Sequence, residues 1–95
     1  MKKISKTNKK AKKTEFSLLA PEVRTAFIAG SFNQWNSSSH PLTKDKQGVW
    51  KISFLLNPGE YEYRFFVDGK WQNDPNCLSL VENPFGTLNC LRMVE

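Results

Sequence analysis

The sequence has few of the residues and motifs that catalytic and metal sites need. Its 95 residues include one histidine, His40, in a serine-rich loop, and two cysteines, Cys77 and Cys90, whose spacing does not suit a zinc site. It has no nucleophile elbow, phosphate-binding glycine loop or HExxH motif. A domain this small also leaves little material for the cleft with two carboxylates that glycoside hydrolysis uses. We therefore expect no enzymatic activity, no metal and no cofactor.

A long apolar stretch is also missing from the sequence. The basic N-terminus lacks the apolar segment of a secretory signal. Together these absences predict a cytoplasmic protein with no membrane partner. A reducing compartment favours free thiols at Cys77 and Cys90, although their spacing would also allow a disulfide.

Acidic residues are absent from residues 1–14, which contain seven lysines and almost no large apolar side chain. Such a segment buries too little surface to offset its ordering entropy. We therefore predict a disordered tail over residues 1–14 and one folded domain over residues 15–95. The folded part has seven basic and nine acidic side chains, so the net charge of +5 comes from the tail. This argues against nucleic acid as the partner of the folded part, and leaves binding through the tail as an alternative.

Alternating polar and apolar residues indicate β-strands throughout the folded part. Residues 50–56 and 61–67 place large apolar side chains at every second position, the period of a half-buried strand. Asn57-Pro58-Gly59 between them predicts an antiparallel hairpin, and Asp68-Gly69 predicts a second tight turn. Residues 73–86 have no clear period, and a last strand follows over residues 87–94. We predict an all-β, immunoglobulin-like antiparallel sandwich of six to eight strands.

The three tryptophans differ in their surroundings. Trp50 lies on the apolar face of a predicted strand, so we expect it in the core. Trp35 follows Asn33-Gln34 in a polar loop, and Trp71 follows the Asp-Gly turn. Each could be an exposed platform or could fold back to cap the sandwich.

An exposed indole suits the face of a pyranose ring, which presents C–H groups and is rimmed by hydroxyls. The hydroxyls need donors and acceptors nearby. Candidates for these are Arg64, Asn73, Thr87 and Asn89. If residues 85–89 are extended, then Phe85, Thr87 and Asn89 project from one face.

Four segments of the sequence carry a specific resemblance: AGSFNQW, PGEYEYRFFVDGKW, DP and FGTLN. Together they resemble the glycogen-binding domain of the AMP-activated protein kinase β-subunit. More broadly, the chain is similar to family-48 carbohydrate-binding modules and to the early-set domains of isoamylases and glycogen branching enzymes. The resemblance covers about residues 20–94. It implies an early-set immunoglobulin-like sandwich that binds an α-1,4-linked glucan such as glycogen.

The resemblance also implies roles for individual residues. Trp35 and Trp71 match the two tryptophans that hold the sugar, and Arg64 matches a lysine of the kinase-type domains. Phe85, Thr87 and Asn89 match the residues of a Leu-Gly-Thr-x-Asn segment, with Phe85 in place of the leucine. Arginine for lysine keeps the charge but changes the donor geometry.

Besides nucleic-acid binding through the tail, two hypotheses follow from the sequence, and both concern the folded part. The first is a non-catalytic α-glucan-binding module with a carbohydrate site formed by Trp35, Arg64, Trp71, Asn73, Phe85, Thr87 and Asn89. The second is a scaffold domain that docks a glycogen-metabolising enzyme or a kinase without itself binding sugar, because some early-set domains are structural appendages to catalytic barrels.

Overall fold

The computed structural model describes residues 10–95 of the chain. The expected disordered tail therefore falls largely outside the described residues. At its end, however, the prediction is wrong: the first strand begins at Lys12, three residues before the expected boundary at Glu15. Thr14 is buried, because this strand continues its ladder to the end of its partner, with Lys12 opposite Leu56.

Residues 10–95 form eight strands, a number within the predicted range of six to eight. Their connections are turns and short loops, and none of the described residues lies in a helix that could span a membrane. The strands are β1 (Lys12–Leu19), β2 (Ala26–Gly30), β3 (Thr43–Lys44), β4 (Val49–Leu56), β5 (Gly59–Val67), β6 (Lys70–Gln72), β7 (Leu80–Glu82) and β8 (Leu88–Val94).

The strands form two antiparallel sheets. One sheet has three strands in the order β1-β4-β3. The other has five strands, with the order β2-β5-β8-β7 and with β6 also paired to β5. The all-β sandwich that the alternation predicted is thereby confirmed.

The core lies between the sheets and is built from every second residue of the long strands. On β5, Tyr63, Phe65 and Val67 are buried, whereas Glu62 and Arg64 point to the opposite, outward face. Trp50 is buried as expected, and its Nε1–H donates to the carbonyl of Ala20 at 2.9 Å. The two sheets thus bury one apolar face each and leave the outer face of the larger sheet free. The buried cluster contains Phe16, Leu18, Ala26, Ile28, Leu42, Trp50, Leu56, Tyr63, Phe65, Val67, Cys90 and Val94.

The prediction of a hairpin at Asn57-Pro58-Gly59 is wrong. Strand β4 pairs with β1 and β3, whereas β5 pairs with β2, β6 and β8. Both edges of β4 are therefore occupied, and the short loop passes from one sheet to the other. Local sequence identifies the turn but not which sheet the next strand joins.

The turn predicted at Asp68-Gly69 is present and connects β5 to β6. Both residues have positive φ angles, 48° for Asp68 and 80° for Gly69, as a two-residue hairpin turn of the primed type requires. The carboxylate of Asp68 accepts hydrogen bonds from the backbone N–H groups of Arg24 and Thr25, each at 2.9 Å. These two bonds fix the β5–β6 turn to the chain that enters β2.

Two short strands do not follow from the sequence pattern. The irregular segment 73–86 contains β7, which pairs Leu80 with Cys90 and Glu82 with Leu88. Strand β3 has only two residues and pairs with β4. Strands this short show no period of their own, because their pairing comes from the longer neighbour.

Candidate functional site

A groove of about 480 Å³ lies on the outward face of the five-stranded sheet. Its floor comes from β5 and β8, one wall from β6 and the loop after β2, and the other wall from the β7–β8 loop. The lining residues are Trp35, Glu62, Arg64, Trp71, Asn83, Pro84, Phe85, Thr87 and Asn89.

Trp71 stands on β6 opposite Phe66 of β5. The two ring centroids are 4.9 Å apart, so Phe66 supports the indole from one side. Trp71 is 44% exposed. Strand β6 therefore presents a large apolar surface that the sheet supports and that solvent can reach.

Trp35 reaches the groove through an unusual turn. Gln34 and Trp35 have φ angles of 56° and 59°, in the left-handed region that side chains with a Cβ seldom adopt. The half-buried indole meets that of Trp71 edge-on, with centroids 6.4 Å apart and an interplanar angle of 66°. Strain of this kind persists only where the surrounding structure holds it in place.

Asn33 holds this turn in place. Its buried amide accepts from the N–H of Gly30 at 3.0 Å and donates to the carbonyls of Ile28 and Asn36 at 3.3 and 3.2 Å. The N–H of Trp35 donates to the carbonyl of Gly30 at 2.9 Å. A Cβ on Gly30 would collide with the carbonyl oxygen of Glu62, so the tight packing of the loop against β5 needs glycine here. The position of Trp35 therefore depends on side chains that do not line the groove.

Arg64 lies on the outward face of β5 and contributes the positive charge of the groove. Its Nε–H donates to Oδ1 of Asn73 at 2.7 Å, and no described residue accepts from either terminal amino group, so both can reach other acceptors. Asn73 does not line the groove itself. It orients the guanidinium.

The β7–β8 loop is a tight turn, so residues 85–87 do not adopt the extended conformation that was considered for residues 85–89. Gly86 has a φ of 83°, and its N–H donates to the carbonyl of Asn83 at 3.1 Å. The side-chain oxygen of Asn83 accepts from the N–H groups of Phe85 and Thr87 at 3.0 and 3.1 Å. These bonds close the turn, and Phe85 is 89% exposed at its tip.

Thr87 and Asn89 line the groove beside that turn, as does Glu62 of β5. Asn89 is buried, and its Nδ2 donates to Oε1 of Glu62 at 3.0 Å. The Asn89 side chain therefore fixes one oxygen of Glu62 and leaves the other free to accept a hydrogen bond.

Six of the seven residues expected at the site line one groove, and Asn73 supports it from behind. Sequence reasoning missed Glu62, Asn83 and Pro84. The alternation of β5 placed Glu62 on the same face as Arg64, which is the signal that could have identified it. Asn83 and Pro84 gave no such signal, because β7 itself had not been predicted.

The histidine and the two thiols lie elsewhere. Nδ1 of His40 is 2.8 Å from Oγ of Ser39, and its ring packs edge-on against Phe54 at 5.0 Å. Cys77 and Cys90 are free, with their Sγ atoms 2.8 Å apart. Burial raises the pKa of the Cys90 thiol to about 12. None of the three lines the groove.

The groove therefore offers angled aromatic faces beside a cation, a carboxylate and a hydroxyl. Glu62 is the single carboxylate among its lining residues, whereas glycoside hydrolysis generally uses two. This set of groups suits a ligand with apolar ring faces and a rim of hydroxyls.

Comparison with known proteins points to the same kind of ligand. Residues 19–95 match the family model described as the glycogen recognition site of AMP-activated protein kinase. The AMP-activated protein kinase subunit beta-2 of Homo sapiens is 43% identical over 72 residues, which are 76% of this chain and 25% of that subunit. Subunit beta-1 of Rattus norvegicus is 38% identical over 72 residues, with the same coverage. The chain spans about a quarter of the length of these curated relatives.

Proposed function

Because the chain belongs to the family of glycogen recognition sites of AMP-activated protein kinase, we propose that its groove binds an α-glucan without catalysing a reaction. The observation that carries this proposal is the meeting of Trp35 and Trp71 at one end of a groove whose other wall holds Thr87 and Phe85. Family membership supports carbohydrate binding in general. The groove supports the choice of residues.

The angle between the two indoles favours a curved chain. At 66° the ring planes cannot both lie flat against one straight ribbon of sugars. Successive glucose units of an α-1,4-linked chain turn relative to each other, so neighbouring units can each face one indole. Each contact removes apolar area from water at about 25 cal/mol per Å².

The polar residues of the groove suit the hydroxyls of the same chain. Arg64 offers its terminal amino groups and Glu62 its free oxygen, and no ion pair joins the two within the described residues. Both charges are therefore available for glucose hydroxyls. A shallow, solvent-exposed site of this kind should bind with a dissociation constant between about 1 μM and 1 mM.

Titration with maltoheptaose, followed by tryptophan fluorescence and calorimetry, tests the proposal. We expect saturable binding, and a loss of at least about ten-fold in affinity, or about 1.4 kcal/mol, for Trp35→Ala and for Trp71→Ala. Cellohexaose, a straight β-linked chain, is the matched ligand control and should bind more weakly. The absence of binding by the wild-type protein at millimolar maltoheptaose would refute the proposal.

A second candidate function is docking of a protein partner. The relatives are named as subunits of a kinase, and the chain matches one segment of them. Leu78 is 99% exposed and Leu80 50% exposed, outside the sugar groove. A pull-down from lysate treated with amylase, using wild-type protein and Leu78→Asp, tests this function. Recovery of the same proteins by both forms, or of none, would count against docking through this surface.

A further inference from the structure

Asn83 makes a set of hydrogen bonds that uses its whole amide. Its oxygen accepts from the backbone N–H groups of Phe85 and Thr87, and its Nδ2 donates to Oγ1 of Thr87 at 2.7 Å and to Oδ1 of Asn89 at 2.9 Å. An amide has two donor hydrogens and two acceptor lone pairs, so none is left over. The Asn83 side chain lines the groove but has no group free for a ligand.

The direction of these bonds is determined by the backbone. A backbone N–H can only donate, so the atom of Asn83 that faces Phe85 and Thr87 must be the oxygen. Its nitrogen must then face Thr87 and Asn89. Asn89 in turn must present its oxygen to Asn83 and its nitrogen to Glu62. Two backbone donors thus fix the orientation of two side-chain amides in succession.

The same direction fixes what the groove can offer a ligand. Oγ1 of Thr87 already accepts a hydrogen from Asn83, so its own hydroxyl hydrogen is free to donate away from the turn. At the other end, one oxygen of Glu62 is held by Asn89 and the second is free to accept. The groove is therefore preset with a donor at Thr87 and an acceptor at Glu62.

We propose that Asn83 is a positioning residue that fixes the hydrogen-bond polarity of the groove, that is, which of its groups donate and which accept. Thr87 is then a donor to the sugar, and Glu62 is an additional sugar-contacting acceptor. This inference rests on the proposed glucan binding. The ligand that fits is a chain with hydroxyls that can accept from Thr87 and donate to Glu62. Fixing the polarity before binding lowers the ordering cost that binding would otherwise incur.

Asn83→Asp reverses this polarity while retaining the turn. One carboxylate oxygen can still accept from the N–H groups of Phe85 and Thr87. The other lies where Nδ2 was and can only accept, so it draws the hydroxyl hydrogen of Thr87 away from the ligand and repels Oδ1 of Asn89. We expect binding of maltoheptaose to weaken about ten-fold, with the two-dimensional NMR spectrum of the remaining sheet unchanged. Asn57→Asp, in the loop between β4 and β5, adds the same charge away from the groove and should bind as the wild type does.

A double-mutant cycle separates positioning from a general structural role. Thr87→Val removes the hydroxyl that Asn83 orients. If Asn83 acts through Thr87, the loss in the double variant should be smaller than the product of the two single losses by at least about three-fold. Losses that multiply fully, or an Asn83→Asp protein that binds like the wild type, would overturn the inference. If Asn83→Asp does not fold, Asn83→Ser can accept from the same backbone groups and carries the cycle in its place.

The wild-type titration distinguishes a failure of glucan binding from a failure of the role proposed for Asn83. If the wild-type protein does not bind maltoheptaose, the proposed function itself is refuted. If it binds and the cycle is fully multiplicative, only the role of Asn83 is refuted. Glu62→Ala, which removes the free acceptor, should weaken binding about three-fold or more, and unchanged binding would refute the contact proposed for Glu62.

Discussion

Nε of Arg64 donates to Oδ1 of Asn73 at 2.7 Å, and this bond determines where the guanidinium points. Removing the amide frees a long side chain to sample other rotamers, which must be ordered again on binding. We expect Asn73→Ala to weaken maltoheptaose binding about three- to five-fold, corresponding to about 1 kcal/mol. Arg64→Ala should lose more, about ten-fold, because the donors themselves are removed.

Calorimetric titration of both variants tests this ordering of effects. Asn76→Ala, three residues along the same loop and outside the groove, is the matched control and should bind as the wild type does. An Asn73→Ala protein with unchanged affinity would show that Arg64 does not need this support.

The sequence predicted the long strands and the core because each carries its own alternation. Tyr63, Phe65 and Val67 could be assigned to one face from spacing alone, and Glu62 and Arg64 to the other. The sheet to which a strand belongs carries no such local signal. The prediction of a hairpin at Asn57–Gly59 was wrong for this reason, since β4 pairs with β1 through residues thirty or more positions away.

The residues of the candidate site could also be predicted only in part. Trp35, Arg64 and Trp71 could be named from their chemistry and from the resemblance, and the structure places them in one groove. The residues that position them could not. Asn33 and Asn83 are ordinary loop asparagines in the sequence, and only the three-dimensional arrangement shows that each amide holds a turn.

Asn33 should be more important for stability than its loop position indicates. Its buried amide satisfies the Gly30 N–H and the carbonyls of Ile28 and Asn36. Truncation leaves buried polar groups without partners, so we expect Asn33→Ala to lower the free energy of unfolding by about 2–3 kcal/mol. Guanidinium denaturation measures this loss. Asn36→Ala, in an exposed position of the same loop, should cost much less, and equal losses in the two variants would contradict the role of Asn33.

Asp68 should make stability depend on pH in the acid range. The backbone N–H groups of Thr25 and Arg24 hold the pKa of its carboxyl below the usual value. As pH falls, the unfolded state takes up a proton at about pH 3.9 before the folded state does. The stabilisation is therefore complete above that pH and is lost as pH falls through the lower folded-state pKa.

Comparing thermal unfolding of the wild type and Asp68→Asn between pH 2 and pH 7 tests this. The wild type should be the more stable protein at pH 7, and the difference should shrink towards zero at the acid end. Glu22→Gln, an exposed carboxylate in the turn after β1, supplies the control for loss of one negative charge. A difference that stays constant to pH 2 would contradict the assignment to Asp68.

The two cysteines should differ in reactivity. Cys90 is fully buried, and its raised pKa, about 12, keeps it a thiol at neutral pH. Cys77 is partly exposed in the loop before β7. Because the thiolate is the nucleophile, alkylation by iodoacetamide at pH 8 should modify Cys77 and spare Cys90 until the protein unfolds. Mass spectrometry of peptides gives the order directly, and Cys77→Ser should remain unmodified in the native state. Modification of Cys90 in native protein at the rate of Cys77 would contradict this expectation.

Phe85 is the residue whose contribution should depend on the length of the glucan. It is 89% exposed at the tip of the β7–β8 turn, so its ring contributes little to the folded protein and gains apolar burial only when a ligand covers it. Burying about 40 Å² of the ring at about 25 cal/mol per Å² corresponds to about 1 kcal/mol, or a five-fold change in affinity. Phe85→Ala should therefore weaken binding of maltoheptaose about five-fold and leave thermal stability unchanged. Binding of maltotriose should stay nearly unchanged, because a short chain held by Trp35 and Trp71 does not reach the far wall.

Leu78→Ala is the matched control, because Leu78 is 99% exposed and lies outside the groove. Equal losses for the short and the long sugar would show that Phe85 acts on the shape of the turn and not as a third platform.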